Sequence, residues 1–148
     1  MKILLGLTAL ATVAAAAPLT KDRALGIMHQ RHETMEQIGR SMRAAKQGIE
    51  ANNVAQVRTA AATINKLAAQ SAPLFPAGTG PEVGKTHAKA DIWAQPQAFG
   101  EAMQNLRTAA AAFDRAARGS DVAAMKAAQG NLGKTCSSCH DRFRAKDD

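Results

Sequence analysis

The sequence predicts an all-α fold, an antiparallel four-helix bundle, and three observations carry that reading. Four segments place apolar residues at alternating steps of three and four, the pattern of a helix with one buried stripe. No segment shows the alternation and β-branched enrichment of a strand. The connections between the four segments run short, long, short, and a short connection makes consecutive helices antiparallel neighbours.

In the first segment the stripe runs Leu25, Met28, His32, Met35, Gly39 and Met42 and stops near Gly48. The second carries Val54, Val57, Ala61, Ile64 and Ala68, after a short link from Gly48 to Asn53. The third carries Phe99, Met103, Leu106, Ala110, Phe113 and Ala117. Pro96 opens it, where a missing N–H costs nothing, and Gly119 closes it. The fourth starts at a Ser120 cap and carries Val122, Met125, Gln129, Leu132, Cys136, Cys139 and Phe143. Between the second and third helices, residues 72–95 hold Pro73, Pro76, Gly78, Gly80, Pro81 and Gly84. A crossover of this length fits a compact domain only if it packs over something or carries function. Phe75, Ile92 and Trp93 are apolar enough to pack it against one end of the bundle.

The 148 residues, 46% hydrophobic, suit one domain with a core. The opening residues put Lys2 before an apolar stretch and then a run of alanines, the layout of a secretory signal peptide. Ala14 and Ala16 satisfy the small-x-small rule and Pro18 would be a poor first residue. Residues 1–16 are therefore expected to be the signal and residues 17–148 the helical domain. No later stretch approaches the ~20 apolar residues of a membrane helix. An exported, periplasmic protein without stable membrane insertion follows. The net charge of +7 is a mild basic excess. With 3% aromatic residues and no tyrosine there is little to stack on bases, which argues against nucleic acid as a partner.

Both cysteines of the chain fall within Cys136-Ser137-Ser138-Cys139-His140. A redox dithiol would sit at a helix N-terminus after a strand, whereas this pair lies inside a helix. A zinc site normally takes four ligands, and three are present locally. Covalent haem attachment is the reading for which Cys-x-x-Cys-His is the direct signature. Two thiols at i and i+3 share a helical face and can each form a thioether with a haem vinyl group. The imidazole at i+4 from the first cysteine projects from that face toward the iron. The haem would lie in the bundle interior near the C-terminal helix.

The residues around this motif resemble a known family. Gly133-Lys134-Thr135 before it and Asp141-Arg142-Phe143-Arg144 after it are similar to the terminal signature of the class II c-type cytochromes typified by cytochrome c prime. Lys89-Ala90-Asp91-Ile92-Trp93 resembles the segment leading into that family's third helix, and Arg31-His32-Glu33-Thr34-Met35 a block of its first. The family is itself a standard example of an up-down-up-down bundle, so its agreement with the helix count is not independent support. The resemblance implies one covalent haem c on Cys136 and Cys139 with His140 as proximal iron ligand. It further implies Arg144 near the proximal haem edge and Arg31 near a propionate.

Function then turns on the sixth iron position, where Met35 is the residue at issue. In low-spin relatives a methionine of the first helix binds the iron, and Ala72-Pro73-Leu74-Phe75-Pro76 looks more like that branch. A His/Met pair suits outer-sphere electron transfer with a periplasmic redox partner protein. The alternative is a five-coordinate haem protein that binds NO or CO. His32, one turn before Met35, is a rival ligand, and a third reading gives copper to Met28, His29, His32 and Met35. No paired carboxylates, nucleophile-base pair or phosphate loop suggests an enzyme. The alanines of the second helix (Ala60, Ala61, Ala62, Ala68 and Ala69) would permit the close approach of a homodimer.

Overall fold

The computed structural model describes residues 19–146, so the expected signal peptide at 1–16 lies outside the described residues. The elements are α1 (Lys21–Glu50), α2 (Val54–Ser71), a 3-10 turn (Ala72–Leu74), the one-turn α3 (Asp91–Ala94), α4 (Pro96–Ala117) and α5 (Val122–Phe143). The four long helices form the antiparallel bundle. α1 packs along α2, α2 along α4 and α4 along α5, whereas α1 and α5 meet only sparingly.

Local chemistry sets the helix ends. The Thr20 hydroxyl accepts from Arg23 N–H at 3.4 Å to start α1. α1 ends where Asn52 takes φ 51°, a left-handed conformation that asparagine tolerates. A Cβ on Gly48 would stand 2.9 Å from Val57 Cγ2, so the tight α1–α2 corner requires glycine there. At the same end of the bundle, Arg58 of α2 donates to the Ala117, Arg118 and Gly119 carbonyls at 3.2, 3.4 and 3.5 Å. It supplies a cation where α4 leaves its last acceptors.

α5 is capped by Asp121, one residue later than expected. Its Oδ1 accepts from Ala123 N–H at 2.9 Å and Ala124 N–H at 3.1 Å. A carboxylate serves two amides at the positive helix end, which a Ser120 hydroxyl could not match. Asp121→Ala should therefore cost about 1 kcal/mol, and Ser120→Ala well under half of that, in urea unfolding followed by helix circular dichroism.

The seams of α2, α4 and α5 lie where the periodicity puts them. Val57, Ala61, Ile64 and Ala68, all six stripe residues of α4, and Met125, Leu132 and Phe143 are buried in one core. The face of α1 is the exception. Its buried residues are Ala24, Met28, Arg31, Ile38, Ser41, Ala45 and Gly48, while Leu25 is 39% exposed and His32 lies in solvent. The seam is thus rotated by about one residue from the predicted stripe. Its small and polar members carry no hydrophobic signal, whereas Met35 and Met42 sit on its half-buried flank. Met42 Cε is 4.0 Å from where a Cβ on Gly133 of α5 would stand.

The crossover packs over the end of the bundle that holds the start of α1 and the end of α5. Ile92 is buried, and Phe75 and Trp93 pack against the core as expected. Phe75 meets Phe99 edge-on at 4.8 Å, and Phe99 meets Phe143 at 5.3 Å. The Trp93 indole N–H is shared between the Phe75 and Pro76 carbonyls at 3.2 and 3.0 Å.

Candidate functional site

α5 carries Cys136, Cys139 and His140 in its last two turns. Both thiols are free and half-buried, packed against the core. Burial pushes both above the ordinary thiol range. A backbone hydrogen bond opposes the shift at Cys136, and Cys136 adds to it at Cys139. The thiols are therefore protonated near neutral pH.

His140 is exposed at the helix end beside a cleft of about 620 Å³ that Lys89, Asp141, Arg144, Ala145 and Lys146 also line. Partial burial and then the Arg144 cation hold its imidazole below the ordinary histidine value, with Asp141 opposing. The imidazole is thereby kept neutral, the form that can ligate a metal. Two thiols on one face of α5 and a neutral imidazole one turn along are the donor set for a haem held through two thioethers and one imidazole nitrogen; the thiols pack on the core and do not line the cleft beside His140. Among the described residues, no group of three or more His, Cys, Asp or Glu could hold a metal ion.

The other candidate residues divide. Arg144 stands with His140 at the cleft. Met35 is half-buried on α1 and packs against the core that Cys136 and Cys139 also touch. His32 is exposed and faces Glu36 at 3.9 Å, and His29 is exposed while Met28 is buried, so these side chains share no face.

Arg31 is 4% exposed and its guanidinium is engaged with the crossover rather than a surface edge. It donates to the carbonyls of Leu74 and Thr79 at 3.3 and 3.0 Å and to the hydroxyls of Thr79 and Thr86 at 3.2 and 3.1 Å. Burial pushes its pKa below the ordinary arginine value. Thr79 and Thr86 are the site-supporting residues that sequence reasoning missed. Threonines in a Pro/Gly-rich loop carry no signal that would have found them.

A family model described as Cytochrome C' matches residues 26–144. Cytochrome c-554 of Cereibacter sphaeroides is 37% identical over 90 residues, 60% of this chain and 58% of its own length. Cytochrome c' of Allochromatium vinosum is 31% identical over 141 residues, 93% of this chain and 90% of its own. The crystal structure of cytochrome c' from Thermochromatium tepidum superposes with a TM-score of 0.78 at 28% identity, covering 88% of this chain and 100% of that one. With the matched region spanning most of α1 and the rest of the bundle through the Cys-x-x-Cys-His donors, the chain belongs to the cytochrome c' family and its cofactor is covalently bound haem c.

Proposed function

We propose that the protein is a periplasmic electron carrier with one haem c, that it passes single electrons to and from a redox partner protein, and that it catalyses no reaction of its own. When bound, the haem supplies an iron that takes up and releases one electron. Cys136 and Cys139 would hold it on α5, and His140 would be its proximal ligand. Arg144 would lie at the proximal edge, and it helps keep the imidazole neutral.

The observation that carries the electron-transfer reading is Met35. Its thioether sits half-buried on α1, and because Met42 faces Gly133 of the antiparallel α5, Met35, two turns earlier, stands level with His140, two turns later. A soft sulfur in the sixth position raises the reduction potential and closes the iron to added ligands. For Arg31, four N–H groups committed to the crossover favour a role in holding that segment over the propionate contact the resemblance implied. Export is supported by the layout of residues 1–16, and no helix among the described residues is long and apolar enough to cross a membrane.

The test is the absorption spectrum of the holoprotein, oxidised and reduced, before and after CO. Wild type should be low-spin with a weak sulfur-to-iron band when oxidised and unchanged by CO when reduced. Met35→Leu should lose that band, turn high-spin and take up CO at once. A wild type that is high-spin and binds CO promptly would replace electron transfer with the alternative, a five-coordinate protein for NO or CO.

A further inference from the structure

The crossover is tied to both helices that carry the proposed axial ligands. On the α1 side the tie is Arg31. Its four bonds reach acceptors 43 to 55 residues away in sequence. Its Cζ also stands 4.9 Å from the Phe75 ring centre and 5.8 Å from that of Trp93. All four acceptors are neutral oxygens. A buried cation in a neutral cage is tolerated only where its N–H groups are individually satisfied, so the arrangement is strongly directional. Gly78, at φ 78°, makes the turn that carries the fully buried Thr79 under the guanidinium.

On the α5 side the crossover pairs with the chain just beyond His140. Ala88 and Arg144 form an antiparallel bridge. Lys89 N–H donates to the Phe143 carbonyl at 3.0 Å and Ala145 N–H to the His87 carbonyl at 2.7 Å. The Phe75–Phe99–Phe143 edge contacts reinforce the same link through α4.

Arg31 lies one turn before Met35 on α1, and Phe143 one turn after His140 on α5. Direct contact between the two helices is sparse, and at this end the crossover is a link bonded to both of them. We propose that Arg31 is a positioning residue for the distal side of the haem: by clamping the crossover to α1, it sets how far Met35 stands from the helix that carries His140. This rests on the reading of Met35 as the residue facing the iron. It assigns Arg31 no contact with the reacting centre.

The test uses the holoprotein and two conservative disruptions. Arg31→Lys keeps the charge, but one ammonium cannot span four diverging acceptors. Thr79→Val and Thr86→Val together remove two hydroxyl acceptors and leave the arginine. The readouts are the CO association rate of the ferrous form, the oxidised spectrum, and trypsin cleavage after Lys85. With haem still covalently attached, Arg31→Lys should speed cleavage by about tenfold or more and let in CO that reduced wild type excludes, or speed CO association by the same factor if wild type is five-coordinate, the scale expected from losing charge-assisted hydrogen bonds. The double threonine variant should move both in the same direction by less, and it decides the matter if Arg31→Lys does not fold.

Faster cleavage with a CO rate and spectrum within about twofold of wild type would reduce the clamp to a purely structural tie and overturn the proposal; so would no change in any readout. If wild type proves five-coordinate, ligation by Met35 fails. The CO rate still reads the clamp in that case, because a side chain that only overhangs the iron also gates entry.

Discussion

Replacing Cys136 and Cys139 together by alanine should leave no haem on the denatured polypeptide, a complete loss read by haem staining after denaturing electrophoresis. Each thiol adds its sulfur and hydrogen across a vinyl double bond, a step that needs no oxidant and leaves no other link between protein and porphyrin. These are the only cysteines in the chain, so no other side chain can take over the attachment. Each single variant should keep haem through one thioether, with an altered pyridine haemochrome band. The non-covalent remainder in the double variant would depend on His140 and the packing around it. Without a tether, the high effective concentration of haem at the site is lost and dialysis against a haem-binding competitor should strip it. Haem that stays with the denatured double variant would refute attachment at these two positions.

Phe113→Ala should cause the largest loss of folding stability. Phe113 is fully buried on α4 at 0% exposure, in a core shared by all four long helices. Truncating a ring in such a place removes its transfer free energy and leaves a cavity that rigid helices cannot collapse around. The expected cost is about 3–5 kcal/mol, a large part of the ~5–15 kcal/mol that holds a domain folded. Leu25→Ala, at a position 39% exposed, should cost under about 1 kcal/mol and serves as the control. Guanidinium unfolding of the holoproteins, followed by helix circular dichroism, measures both. Similar losses for the two variants would mean that the core is not centred on Phe113.

Much of the molecule is legible in the sequence because the relevant physics is local. The α4 stripe is six apolar residues at helical spacing between Pro96 and Gly119, and all six are buried, with Asp114 the one polar residue among the buried members of the helix. On α2 the stripe is buried except for the half-buried Val54, and on α5 Met125, Leu132 and Phe143 are buried while Val122, Gln129, Cys136 and Cys139 are half-buried. The attachment motif is equally local, since helix geometry by itself brings Cys136, Cys139 and His140 to adjoining positions. Even the packing of Phe75, Ile92 and Trp93 could be anticipated, because a long connection in a compact domain must cover something.

Tertiary structure decided the rest. The buried face of α1 is built from Ala24, Arg31, Ser41, Ala45 and Gly48 as much as from Met28 and Ile38, so hydrophobic periodicity points to a stripe about one residue away. Small residues there let α2 approach, and Met35 and Met42 are displaced to the flank, where a ligand and a filler of the α1–α5 seam can stand. Asp121 rather than Ser120 caps α5 because the amides it serves are oriented by the exact path of the α4–α5 turn.

Arg31 marks the limit most clearly. Its partners are two backbone carbonyls and two threonine hydroxyls in a loop far along the chain. Neutral acceptors of that kind have no residue-type signature, so the sequence shows an arginine on a helix, and only the folded chain turns it into the clamp of the crossover.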